Sequence, residues 1–158
     1  MKTAQDLSVI NKRVGALEHN PITLAHTQNR RARKIADSIR AFGFTNPILI
    51  DRNATIIAGH GRAQAAKLLG LDVVQTIRLE DLSPAQIRAY VLADNRLAED
   101  AGWDEQVLEI ELQNLILDVE IDVALTGFEV AEIDLLLEDE TSPDDELPVV
   151  PEEIVSLS

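Results

Sequence analysis

The sequence predicts an α/β fold: a small mixed β-sheet flanked by helices, with a helical extension after residue 100. Two observations predict it. Short apolar runs of strand length, Pro47–Ile50, Ile56–Ala58 and Val73–Leu79, alternate with stretches of helical period. Aromatic residues make up only 3% of 158, so the core has to be aliphatic, drawn from Leu, Ile, Val and Ala. A chain of this length suits one domain plus tails.

Residues 1 to about 22 show no sustained period, and a short strand or an ordered arm is expected there. Arg30 to Phe42 reads as a helix with Ile35, Ile39 and Phe42 on one face and Arg31, Lys34 and Arg40 toward solvent. Gly43 stops it. Two short strands follow, separated by Asp51-Arg52-Asn53-Ala54-Thr55, whose Asp and Asn supply turn chemistry. Gly61 to Leu69 is expected to be a helix presenting Ala65, Leu68 and Leu69 inward and ending at Gly70. Val73 to Leu79 alternates as a further strand. Ser83-Pro84-Ala85-Gln86 then supplies an N-cap, a Pro at the first helical position and a Gln three residues after the cap. That helix should run to about Leu97 and bury Ile87, Tyr90, Val91 and Leu97.

Asp104 to Leu117 is a further amphipathic helix, with Leu108, Leu112, Leu115 and Ile116 as its stripe. Trp103, after Gly102, is expected to anchor these helices in the folded unit. Glu129 to Leu137 is the last helix, with acids in its first turn as the helix dipole prefers. Thr141-Ser142-Pro143-Asp144-Asp145-Glu146 has linker composition. The apolar residues beyond it (Val149, Val150, Ile154, Val155, Leu157) read as the start of another domain.

Net charge is −14, but the average hides a division. Residues 1–100 carry 14 Lys and Arg against 10 acids, +4, whereas residues 101–158 carry 18 acids and no Lys or Arg, −18. The plain reading is a solvated helical face and a solubilising linker. The other is an acidic segment that covers a basic surface or repels DNA until something moves it. With no cysteine, disulfides, thiolate metal sites and thiol nucleophiles are excluded, in keeping with a reducing cytoplasm. No run approaches the roughly 20 apolar residues of a membrane span, and no apolar signal region opens the chain.

The strongest chemical motif is Ile56-Ile57-Ala58-Gly59-His60-Gly61-Arg62-Ala63-Gln64-Ala65-Ala66-Lys67. A strand, two glycines and a helix start expose unsatisfied N–H groups and the positive end of a helix dipole, which suits an anion. Gly59 and Gly61 would let a ligand approach the backbone. Arg62 could grip a phosphate bidentately, or the turn could be structural, with Arg62 paired to an acid. His60 reads either as a phosphate ligand or general acid, or as a turn-stabilising residue. Neither His19 nor His26 has metal-ligand spacing with a carboxylate pair.

Three ordered blocks resemble the ParB N-terminal domain, which shares its fold with sulfiredoxin. Ile35-Ala36-Asp37-Ser38-Ile39 through Gly43 and Pro47-Ile48-Leu49-Ile50 is similar to the family's L-A-x-S-I-x-x-x-G-x-x-x-P-I-x-V block. Ala58 to Lys67 is similar to its G-E-R-R-x-R-A-A-K phosphate motif. Leu92-Ala93-Asp94-Asn95 falls where the family has E-N-x-x-R. His60 and Gly61 replace the Glu and Arg of the phosphate motif, Ala98 stands where the last block has Arg, and Ala25 falls where the family carries another Arg. His60 also occupies the sulfiredoxin cysteine position, which excludes that reaction. Tyr90 to Ala98, Ala101-Gly102-Trp103-Asp104 and Glu120 to Phe128 further resemble the ParB-like domains that precede phage and bacterial DNA methyltransferases. No methyltransferase cofactor loop or D-P-P-Y or N-P-P-Y motif is present in the chain.

The resemblance implies a nucleoside triphosphate, CTP or ATP, held with magnesium. Gly59, His60, Gly61 and Arg62 would bind the phosphates, Asp94 and Asn95 would approach the metal, and Asp94 would be the foremost catalytic candidate. It implies an accessory domain of a DNA modification or partition system, partnered by a DNA methyltransferase domain or protein and reaching DNA indirectly, with a homodimer left open. The alternatives are a ParB-like nuclease or small-molecule kinase, and an interaction module with a vestigial phosphate site. The expected organisation is an arm over 1–22, a nucleotide-binding domain over 23–100, an acidic helical extension over 101–138 and a linker over 139–158 toward a missing or separate domain. ParB proper continues into a helix-turn-helix DNA reader; here acidic helices are expected in its place.

Overall fold

The computed structural model describes residues 7–19 and 28–138. The expectations on Ala25, His26 and the stretch from residue 139 onward fall outside them. Two compact units emerge: residues 1–103 with 125–127, and residues 104–124 with 128 onward. No helix among the described residues is long and apolar enough to cross a membrane.

The first unit is built on a four-stranded mixed sheet of β1 (Val9–Arg13), β2 (Ile48–Ile50), β3 (Ile56–Ala58) and β4 (Val73–Arg78), in the order β1-β4-β2-β3. β2 and β3 form an antiparallel hairpin whose turn is organised by Asp51. Its Oδ1 accepts from the N–H groups of Asn53 and Thr55 at 2.8 and 2.9 Å, and Ala54 takes the left-handed conformation at φ 62°. From β3 the chain crosses through helix α2 (His60–Leu68) and returns as β4, parallel to β2 with Ile48 opposite Thr76 and Ile50 opposite Arg78. The Val9–Arg13 stretch forms a strand, antiparallel to β4 with Val9 opposite Ile77. Buried Thr76 secures that edge by donating its hydroxyl to the Ile10 carbonyl at 2.7 Å.

The core beneath the sheet is aliphatic: Val14, Leu17, Ile48, Ile50, Ile56, Ala63, Ala66 and Val74, with Phe44 packed against it. Helix α1 (Gln28–Phe42) ends at Gly43, whose φ is 87° and whose N–H bonds to the Ile39 carbonyl at 2.8 Å. α1 packs on α2 through small residues. Ala32 and Ala36 are buried on one helix, and Ala63, Ala65 and Ala66 on the other. Phe42 and Leu68, expected inside, are exposed.

Helix α3 (Pro84–Asp100) starts with the anticipated capping box. The Ser83 hydroxyl accepts from the Gln86 N–H at 3.2 Å, and the Gln86 side chain accepts from the Ser83 N–H at 2.9 Å. The helix buries no residue fully: Ile87, Tyr90 and Val91 are half-buried, and Leu97, expected inside, is 69% exposed. Its packing is against β3, so its later turns lack a surface to cover them. Trp103 is likewise 70% exposed and not the core anchor expected.

In the second unit, helix α4 (Glu105–Leu117) is capped by Asp104, whose Oδ1 accepts from the Val107 N–H at 3.2 Å, and packs on α5 (Val130–Glu138). Leu112 and Ile133 are buried between them. Leu108 and Leu115 are half-buried, but Ile116 is exposed and Glu109 is buried in its stead, accepting from Gln113 Nε2 at 3.2 Å. α5 is capped from within its own chain: the Glu129 N–H donates to the Glu132 carboxylate at 2.6 Å.

With so little burial, α3 depends on its cap. Ser83→Ala should lower hydrogen-exchange protection in its first turn on the order of fivefold, equivalent to about 1 kcal/mol. Unchanged protection would show that packing, not capping, sets the helix start.

Candidate functional site

The site forms where β3 passes into α2. Gly59 occupies the N-cap position in the left-handed region, φ 102° and ψ 26°, and no side chain caps the helix. A Cβ here would be strained and would lie 2.8 Å from Arg62 Nη2, so the absence of a side chain lets the guanidinium fold back over the turn. Gly61 also has a packing role. A Cβ there would meet Ile35 Cδ1 at 2.7 Å, so this glycine admits α1 against α2.

Arg62 is half-buried. Its Nη2 donates to the Pro47 carbonyl at 3.1 Å, at the entry to β2, and its Nε is buried without a hydrogen-bond partner. Burial lowers its pKa, an effect that the charge of Asp94 on α3 partly opposes. A guanidinium with an unsatisfied buried N–H, at a helix N-terminus that already disfavours cations, is suited to an arriving anion. Asp94 also raises the Tyr90 hydroxyl pKa, second to burial. Asp94 and Arg62 are thus electrically coupled across two elements 32 positions apart. Asn95 is exposed and donates Nδ2 to the Val91 carbonyl of its own helix at 2.8 Å, leaving its amide oxygen as the group able to meet a cation.

Sequence reasoning passed over two contributors, His19 and Lys67. The rings of His19 and His60 stack with centroids 6.1 Å apart, and Lys67 Nζ donates to His19 Nε2 at 3.2 Å. Burial lowers the His60 pKa, and His19 lowers it further. His19 is delivered by the strand-like return in which its neighbour Glu18 pairs with Thr55, and no local pattern announces this. Lys67 stands on α2 inside the quoted motif and was the one partner a sequence could have offered. Among the described residues no group of three or more His, Asp and Glu is arranged to hold a metal. A magnesium ion needs only one or two protein carboxylates when phosphates supply the rest.

Residues 3–101 match the family profile of the ParB N-terminal domain, and residues 106–157 match that of the ParB-methyltransferase HTH domain. The ParB-like nuclease domain-containing protein YnaK of Escherichia coli K12 is 46% identical over 68 residues, 43% of this chain and 75% of its own length. The probable chromosome 2-partitioning protein ParB of Deinococcus radiodurans is 35% identical over 129 residues, 75% of this chain but only 43% of that protein. The chain therefore spans less than half of that relative. Among solved structures, the C-terminally truncated chromosome-partitioning protein ParB of Caulobacter crescentus complexed with CTP-gamma-S superposes with a TM-score of 0.69 at 20% identity, covering 87% of this chain and 81% of that one. The match over 106–157 corrects the expectation that no helix-turn-helix follows residue 100. Charge obscured it: the apolar spacing that shapes such a domain is independent of the sign of its surface residues.

The half-buried His60 makes a pH signature predictable. Its pKa is lower in the folded chain than the ordinary 6.5, so the unfolded chain takes up a proton first as pH falls. Its contribution is therefore fully present above about 6.5 and is lost as pH drops toward the folded value. Urea titrations between about pH 7.5 and 5.5 should show a larger loss of stability for the natural chain than for His60→Asn. Equal slopes would contradict the burial of this ring.

Proposed function

The chain belongs to the ParB N-terminal domain family, and from that premise we propose that its body binds a nucleoside triphosphate at the G-H-G-R junction in the service of DNA modification or partition. The observation that carries the reading is Arg62: a half-buried guanidinium with an orphaned Nε, folded over a left-handed glycine at a helix N-terminus without a side-chain cap. Lys67 extends the positive field on the same helix. The relation to a partition protein that holds CTP-gamma-S favours CTP over ATP. In this reading Arg62 and the first-turn N–H groups hold the phosphates. Asp94, or alternatively the Asn95 amide oxygen, would approach a magnesium ion, which would neutralise phosphate charge. The second matched profile, a helix-turn-helix domain of the ParB-methyltransferase type, supports association with DNA and a modification system as the setting.

Binding that depends on the charge-assisted contact should weaken by about 2–3 kcal/mol in Arg62→Ala, roughly 30- to 150-fold in affinity. Calorimetric titration with CTP and ATP, with and without magnesium, measures it, and unchanged affinity would remove Arg62 from the site. The nuclease reading suggested by the name of the Escherichia coli relative has its own signature, plasmid nicking lost in Asp94→Ala.

A further inference from the structure

His60 is the first residue of α2, directly after the left-handed Gly59 and two positions before Arg62. Lys67 lies seven residues further along the same helix, a spacing that returns to the same face. His19 bridges the two. Its ring stacks on that of His60 with centroids 6.1 Å apart and planes inclined by 29°, and its Nε2 lies 3.2 Å from Lys67 Nζ. The surroundings of the half-buried His60 ring are hostile to a positive charge. On its own helix stand Lys67, Arg62 and the positive end of the dipole. Of the elements packed against α2, β2 and the turn Val14–Ala16 carry no charged residue. α1 meets α2 with Ala32, Ile35 and Ala36 and keeps Arg30, Arg31, Arg33, Lys34, Asp37 and Arg40 exposed. Asp94 of α3 acts on Arg62 and Tyr90. Burial first and His19 second hold the His60 pKa below its ordinary value.

A polyphosphate at the start of α2 reverses the sign of this field. Several negative charges beside the ring favour the imidazolium that the empty site disfavours. We infer that the His19–His60–Lys67 cluster makes nucleotide binding proton-linked: as the phosphates arrive, His60 takes up a proton from solvent and becomes a second cation of the site beside Arg62. The inference rests on the nucleotide reading of the junction and adds its regulation. The sign follows from linkage. A ring that holds its proton more tightly in the complex than in the free chain strengthens binding as pH falls, and the gain is absent well above the bound-state value.

Calorimetric titration of the full chain with CTP and magnesium at about pH 7, in two buffers of different ionisation enthalpy, reads the proton uptake. His60→Asn, which carries no charge at any pH, is titrated alongside. Protons exchanged by the nucleotide's own phosphates are common to both chains and cancel in the difference. The natural chain should take up more proton than the variant. Its affinity relative to the variant should rise about fivefold from about pH 8 to about pH 6, the response to a tenfold change in the proton affinity of the imidazole. NMR of the natural chain needs no variant: the His60 ring should titrate below 6.5 without nucleotide and higher with CTP bound. Equal proton uptake by the two chains, a loss of affinity in the variant that is the same at both pH values, or a His60 titration unmoved by CTP would overturn the inference while leaving the nucleotide reading in place. The absence of any CTP binding would overturn both.

Discussion

The passage from β3 into α2 turns on the left-handed backbone of Gly59, and much of the first unit is arranged around that turn. Because the chain bends there at φ 102°, α2 starts directly beneath the sheet and lays Ala63 and Ala66 against Ile48, Ile50 and Ile56. The same bend leaves space for the Arg62 guanidinium to fold back and reach the Pro47 carbonyl, tying the helix start to the entry of β2. A side chain at position 59 would contest both the backbone conformation and the guanidinium's place. The fold constraint and the site are one feature: a turn only glycine makes comfortably creates the surface on which an anion could be received.

Around it the polar groups are arranged at the expense of stability. Arg62 loses solvation and opposes the helix dipole, with part of that cost offset by Asp94 from α3. His60 is held against His19 in a setting that disfavours its charge. Groups kept in such unfavourable states are common where a ligand of opposite charge completes the set. Helix α3, which carries Asp94, buries none of its residues and rests on its capping box and its contact with β3. It is therefore the element of this unit with the least to lose by moving when a ligand arrives.

The second unit follows a different balance. Among the described residues its core is a narrow contact of Leu112 with Ile133, and its acids are spread along both helices with no Lys or Arg in residues 101–158. Self-repulsion on this scale weakens a small unit.

Local chemistry made several elements legible in the sequence. The capping box at Ser83, the glycine stop after α1, the Asp51 turn and the β3–α2 junction all depend on residues within a few positions of one another, so composition and spacing were sufficient to place them. Burial and partnership were decided only in three dimensions. Val9–Arg13 becomes a strand because β4 offers an unpaired edge some sixty residues later, where Thr76 can bond to Ile10. Phe42 and Leu68 lie exposed, although both fit an inward stripe. Leu97 and Trp103 are exposed although both are apolar, because burial depends on neighbours and not on hydrophobicity alone. In the site, Arg62 could be named from its motif. Its orphaned Nε, its contact with Pro47 and the stacking of His19 on His60 required distant segments to be brought together. The sequence alone determined where the chain turns and which residues could meet an anion, because those properties are local. Tertiary structure decided which of them are desolvated and coupled, because solvation and electrostatics depend on everything packed nearby.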